Sequence, residues 1–148
     1  MAAAEFFVDA NIIIYSTVPS EQGDACSEIL AAITNGQAAG RTSPAVLEEV
    51  WHIERSGRAG DLRSLTQHAF TLFSPLLPVT DQAFRLALAV QGSGGLGAND
   101  RVHVGTCLAH GIDYILSADS SFDGVSGVRR VDPLDVEMRR RLLLAAAS

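Results

Sequence analysis

The sequence contains no lysine, and all eleven of its basic residues are arginine. Seventeen acids stand against them, for a formal net charge of −6. That sign argues against non-specific attraction to nucleic acid by bulk charge, although arginine is the better residue for bidentate contact with individual phosphates. A GC-rich coding bias would leave the same lysine-free composition. Cysteine is also scarce. Cys26 and Cys107 are too few for a disulfide framework and sit among helix-like apolar neighbours, which fits a reducing compartment. No apolar run approaches the roughly 18 residues that span a membrane, and Asp9 interrupts the one N-terminal segment that could pass for a signal sequence. The expectation is a cytoplasmic protein with no membrane partner. Internal repeats and low-complexity linkers are missing as well.

What is present is a chain of 148 residues, 47% hydrophobic, long enough to close one core and read here as a single domain over residues 1–148. Its opening stretch, Phe6-Phe7-Val8-Asp9-Ala10-Asn11-Ile12-Ile13-Ile14, drives an apolar strand into a carboxylate and then resumes as a short helix from Ile12 to Ser16. A charge placed there is costly unless a cation meets it. Further helices are expected from about Gly23 to Asn35, from Pro44 behind a Ser43 cap to about Ser56, from beyond Gly60 to Phe73, after a Thr80 cap, and from an Asn99 cap to about His110. Residues 91–98 are glycine-rich and read as a loop. Strand candidates are Arg41 to Ser43, Leu76 to Val79 with a weakening proline, Tyr114 to Ser117 and Val128 to Val131, with a last helix restarting at Asp132-Pro133. Short strands alternating with helices predict an α/β fold with a parallel sheet covered on both sides.

Most of the acids fall on polar helix faces or in first turns, where they solvate the surface or complement the helix dipole. Four do not. Asp9 and Asp119 each follow a buried strand, and in an open parallel sheet ligands bind at the carboxyl ends of strands. Glu49 lies about 100° around its helix from the buried Val50, against about 160° for Glu48, so Glu49 looks along the buried face while Glu48 faces water. Asp100 heads the stripe formed by Val104, Cys107 and Leu108. Four carboxylates converging at one sheet edge would repel one another unless a multivalent cation intervened, and all-oxygen ligation selects Mg²⁺ or Mn²⁺. Asp123 is either a fifth member or a turn residue before Gly124.

The order Val8-Asp9-Ala10-Asn11, Val46-Leu47-Glu48-Glu49-Val50, Asn99-Asp100-Arg101-Val102-His103-Val104 and Leu116-Ser117-Ala118-Asp119 with Phe122-Asp123 resembles PIN-domain ribonucleases, nearest to the VapC toxins of bacterial toxin–antitoxin pairs. The resemblance spans nearly the whole chain. It implies a Rossmann-like three-layer α/β/α fold with a central parallel sheet of four to five short strands, and metal-dependent cleavage of RNA with Mg²⁺ or Mn²⁺ as cofactor. It assigns Asp9, Glu49, Asp100 and Asp119 as catalytic acids; Asp9, Asp100 and Asp119 as metal ligands, with Glu49 and Asp123 as further candidates; and Asn11 and Ser117 as supporting polar residues. It also implies a cognate antitoxin and self-association as a homodimer. Arg101 departs from the alanine common at its position and is a candidate phosphate contact, with a solvated helix arginine as the alternative.

Two rival readings remain. Glu49-x-x-His52 and Asp100-x-x-His103 have the spacing of di-iron sites in helical bundles, but His52 falls on a polar face and the buried strands do not suit a bundle. Against that reading, His103 is better described as a residue supporting the ligands or lining the core edge. The other rival is a catalytically weak or inactive PIN-like module that binds RNA or protein without cutting, for which loss of an acid would be the signature; all four acids are present.

Overall fold

The computed structural model describes residues 4–92 and 95–147. Four strands, β1 (Glu5–Val8), β2 (Ala39–Arg41), β3 (Tyr114–Leu116) and β4 (Arg129–Val131), form one sheet in the order β2-β1-β3-β4, with every neighbouring pair parallel. Successive residues of a strand point to opposite faces. Phe6, Phe7 and Val8 are nevertheless all 0% exposed, so both faces of β1 are covered. Among the described residues there are seven α-helices: α1 (Ala10–Tyr15), α2 (Glu21–Thr34), α3 (Pro44–Ser56), α4 (Leu65–Phe73), α5 (Asp81–Leu88), α6 (Ala98–Ala109) and α7 (Val136–Ala147). This is the three-layer α/β architecture expected, with four strands.

Strand order decides where a site can form. The chain leaves β1 toward β2 on one side and later returns to β3 on the other, so the carboxyl ends of β1 and β3 flank a topological switch point. Phe7 pairs with Ile115 and Val8 with Leu116, and Asp9 N–H donates to the Leu116 carbonyl at 3.1 Å. The residues that follow the two strands therefore emerge side by side.

Several boundaries differ from the sequence expectation, each for a local reason. The first helix begins at Ala10, because the Asp9 carboxylate accepts from Ala10 N–H. The second begins at Glu21, since Ser20 caps it through Gly23 N–H at 2.9 Å. Strand β2 ends at Arg41 and not at Ser43. The Thr42 hydroxyl donates to the Val8 carbonyl at 2.9 Å in place of a ladder bond, and Ser43 already occupies the N-cap position of α3, with no capping bond from its side chain. Leu76 to Val79 forms no strand. Leu77 N–H reaches the Thr42 carbonyl at 2.9 Å, but Pro78 has no N–H with which to continue the pairing. The cap of α6 is Gly97, which puts Asn99 inside the first turn. Of the glycine-rich stretch 91–98, residues 93 and 94 lie outside the described residues, and the remainder up to Gly97 carries no helix or strand.

One close approach fixes α6. A Cβ on Gly105 would lie 2.2 Å from the Ala83 carbonyl oxygen and 2.9 Å from the Ala87 Cβ, so α5 and α6 touch backbone to backbone over three small residues. Thr80, capping α5 through Ala83 N–H, anchors the same contact. Because α6 carries Asp100 and His103, this seam sets how far both project toward the sheet edge.

Candidate active site

Asp9 is 5% exposed at the end of β1 and is held by three donors. Its Oδ1 accepts from Ala10 N–H at 2.8 Å, and its Oδ2 accepts from the Ser117 hydroxyl at 2.7 Å and the Asn11 amide at 3.2 Å. Ser117 is fully used in this network. It gives its proton to Asp9 and accepts from Asn11 Nδ2 and from Asp119 N–H, both at 3.0 Å. The Asn11 carbonyl oxygen in turn accepts from Ala118 N–H at 3.1 Å. The two supporting polar residues thus tie the end of β1 to the end of β3 and orient the Asp9 carboxylate.

Two helices bring the remaining groups. On α3, Val46, Leu47 and Val50 are buried, Glu49 is half-buried and Glu48 is exposed, the division expected from helical periodicity. On α6, Asp100 occupies the first turn and His103 is wholly buried, its ring against Phe7 with centroids 5.5 Å apart and planes tilted by 38°. His103 Nε2 lies 2.8 Å from Glu49 Oε1 and 3.9 Å from Asp9 Oδ1. One ligand-capable atom from each of Asp9, Glu49 and His103 falls within 4.8 Å of the others. Asp9 and Glu49 open into a cleft of about 640 Å³ that Asn11, Asp100, Asp119, Tyr15, Glu48 and His52 also line, while His103 is buried behind it.

The electrostatics follow from burial and crowding. Burial raises the Asp9 pKa, opposed by His103, the Ser117 hydroxyl and Ala10 N–H. Asp100 is pushed up to about 6, first by burial and then by Asp9, with Asp119 and Glu49 adding and His103 opposing. For His103, burial works against the cation, but the Glu49 hydrogen bond and the nearby Asp9 and Asp100 outweigh it and raise its pKa. Asp119 is more exposed, and hydrogen bonds from the Ser121 hydroxyl at 2.6 Å and Ser121 N–H at 2.9 Å hold its pKa below the usual range. Four carboxylates from four segments therefore line one cleft, with Asp9 and Glu49 in the close group with His103, and burial followed by repulsion from neighbouring acids raises the pKa of Asp9 and Asp100. Such a donor set fits a hard divalent ion.

Two other residues singled out in the sequence lie differently. Asp123 is gripped by Arg130, with Nε to Oδ1 at 2.8 Å and Nη2 to Oδ2 at 3.2 Å, and it does not line the cleft. The same Arg130 donates to the Ser117 carbonyl at 3.0 Å, bracing the β3 end from behind. Arg101 donates to the Val90 carbonyl at 3.0 Å, and its half-buried side chain ties α6 to the end of α5. The burial of His103 and its bond to Glu49 agree with its expected place as a residue supporting the ligands or lining the core edge. The signal was its place three residues after Asp100, on nearly the same face of α6. Ser121 was missed, although Asp119-Ser120-Ser121 has the spacing at which an aspartate accepts from the backbone two residues on.

Residues 6–128 match the PIN domain family. The chain belongs to that family. Among solved structures this PIN domain is similar to the crystal structure of FitAcB from Neisseria gonorrhoeae, with a TM-score of 0.67 and 16% identity over 88% of this chain and 99% of that one. It is also similar to a toxin–antitoxin complex from Klebsiella pneumoniae, with a TM-score of 0.62 and 17% identity over 88% and 99%. A third likeness is to Mycobacterium tuberculosis VapC20, described as a sarcin–ricin loop cleaving toxin, with a TM-score of 0.60 and 20% identity over 84% and 98%. At such identities these likenesses concern the fold. No curated protein matches the sequence significantly. Among the described residues of this PIN domain, no helix is long and apolar enough to cross a membrane.

Proposed function

We propose that this PIN domain is an Mg²⁺- or Mn²⁺-dependent endoribonuclease that acts as the toxin of a bacterial toxin–antitoxin pair. The observation that carries the reading is the convergence of Asp9, Glu49, Asp100 and Asp119 from β1, α3, α6 and the segment after β3 on one cleft. Asp9, Asp100 and Asp119 would hold the cation, which when bound polarises the phosphoryl group and lowers the pKa of a ligated water. Asn11 and Ser117 keep the Asp9 carboxylate aimed into the cleft. Glu49, whose carboxylate comes within 4.8 Å of Asp9, would orient the attacking water by accepting its hydrogen bond. Cleavage leaves a 5′-phosphate and a 3′-hydroxyl, as the family resemblance implies. The place of Asp123 against Arg130 favours a structural part for it over a ligand's.

The partners proposed are an RNA substrate, a cognate antitoxin protein and a second copy of the chain. One of the similar folds is described as part of a toxin–antitoxin complex and another as a toxin that cleaves the sarcin–ricin loop, which supports this reading. The test is incubation of the purified protein with mixed RNA plus Mg²⁺ or Mn²⁺, with EDTA and Asp9→Asn as controls. Metal-dependent internal cleavage that Asp9→Asn removes is the expected result. RNA binding without cleavage under any metal would replace the enzyme with a binding module. Growth arrest on expression, relieved by a co-encoded small protein, tests the toxin assignment separately.

A further inference from the structure

We propose that His103 is a positioning residue, which donates from Nε2 to Glu49 and fixes that carboxylate opposite Asp9, and that it is not itself a ligand of the cation. The inference rests on the reading of the cleft as a metal-dependent nuclease site. Distance alone leaves both roles open, because Nε2 lies within reach of Glu49 at 2.8 Å and of Asp9 at 3.9 Å. The other ring nitrogen decides between them. Nδ1 is buried and has no hydrogen-bond partner among the described residues.

An imidazole that coordinates a metal offers a lone pair at one nitrogen and carries its proton on the other, which normally donates to a carboxylate, carbonyl or water. If Nε2 were the ligand, the proton would sit on Nδ1 as a buried N–H with no acceptor, and Glu49 would lose its donor. Both changes are unfavourable. With the proton on Nε2, the ionised Glu49 receives a charge-assisted bond, since a carboxylate can only accept. In the neutral ring the bare Nδ1 then needs no acceptor, and in the cation Nε2 is protonated as well and offers no lone pair to a metal. Packing enforces the choice, because the ring is 0% exposed and lies on Phe7.

The consequence falls on Glu49. It is half-buried on the edge of α3 and makes no other hydrogen bond among the described residues. Without His103 its long side chain would sample rotamers toward the open cleft. With it, one carboxylate oxygen is tied back and the other is left to face the water attacking at Asp9.

Two experiments test this. In the first, His103→Leu removes the donor at similar volume, whereas His103→Gln places an amide N–H near the lost Nε2. His103→Leu is expected to lower kcat by roughly 10- to 100-fold with KM for RNA little changed, His103→Gln to recover most of it, and His103→Leu to add little in a Glu49→Gln background. Equal losses in Leu and Gln, or an undiminished His103→Leu effect without Glu49, would overturn the assignment. In the second, long-range ¹H–¹⁵N NMR of the wild-type protein reads which ring nitrogen carries the proton before and after saturation with Mg²⁺. Nε2 should stay protonated in both states, and its deprotonation on adding Mg²⁺ would make His103 a ligand. This readout holds if His103→Leu fails to fold. It is also independent of activity, so a protein that cuts no RNA would remove the nuclease reading without deciding the role of His103.

Discussion

Removing the charge of Asp100 should make the metal-free protein more stable, and the size and pH dependence of the gain can be worked from the site. Asp100 titrates at about 6 in the folded chain against 3.8 for an unperturbed aspartate, chiefly because it is buried and because Asp9 lies near. Two units correspond to about 3 kcal/mol. Asp100 is only half-buried, so solvent screening reduces this to about 1–2 kcal/mol. Asparagine also forfeits the favourable interaction of a charge with the first turn of α6, typically about 0.3–1 kcal/mol. The net expectation for Asp100→Asn in EDTA is a gain of about 1 kcal/mol near pH 8. The sign follows from linkage. A folded pKa above the unfolded one means that the stability is fully present below about 3.8 and is lost as pH rises through about 6. The two proteins should therefore converge below about pH 4, separate between about pH 4 and 6 and keep a constant difference above that. Urea unfolding across that range measures it, and saturating Mg²⁺ should reverse the order, because the wild-type protein binds the ion better in its folded state. A mutant less stable than wild type in EDTA at pH 8, or a difference that ignores pH, would refute the account of the cleft as crowded carboxylates.

The other predictions address separate parts of the site. Asp9→Asn should reduce metal-dependent RNA cleavage by at least about 10²-fold, since even partners of metal ligands often matter that much; a gel-based cleavage assay with Mn²⁺ checks it. Ser117→Ala removes one hydroxyl that makes three hydrogen bonds, with Asp9, Asn11 and Asp119 N–H, and should cost about 1–3 kcal/mol in urea unfolding as well as activity. Asp123→Asn should leave the Mg²⁺ concentration dependence of cleavage unchanged, because Asp123 is occupied by Arg130 away from the cleft; a shifted metal requirement would restore it as a ligand. Gly105→Ala forces a methyl group against the Ala83 carbonyl and should destabilise by about 1–3 kcal/mol, read as a lowered midpoint of unfolding.

Much of the fold was legible because its signals are local and unopposed. The Ser43-Pro44 start and Gly57 stop of α3, the Thr80 cap of α5 and the apolar run of β3 each combine a capping or patterning rule with no competing partner. The failures occur where a side chain or a distant segment takes over a backbone group. Thr42 looks like a strand residue, yet it gives its hydroxyl to Val8 and ends the ladder. Leu77 has the apolar character of a strand, but its pairing stops after one bond because Pro78 cannot donate. Asn99 has the chemistry of a cap, but the cap is Gly97, two residues earlier, and nothing within the sequence registers that geometry.

The acids were legible for a different reason: each stands where a pattern of burial would otherwise continue. Periodicity separates Glu49 from Glu48, and the strand ends mark Asp9 and Asp119. What pattern could not supply was the group that answers them. Among the described residues no arginine lines the cleft, and pattern alone leaves His103 between a residue that supports the ligands and one that lines the core edge, because a single histidine on an apolar helix face is ordinarily part of the core. Here it is both, buried like a core residue and bonded to Glu49. One imidazole still cannot offset the site. Asp100 remains at about 6 although His103 pulls its pKa down, and burial keeps the Asp9 pKa raised despite three hydrogen-bond donors and the same imidazole. Burial and crowding thus hold an oxygen-rich donor set at the switch point, and such a set is the kind a hard divalent cation stabilises.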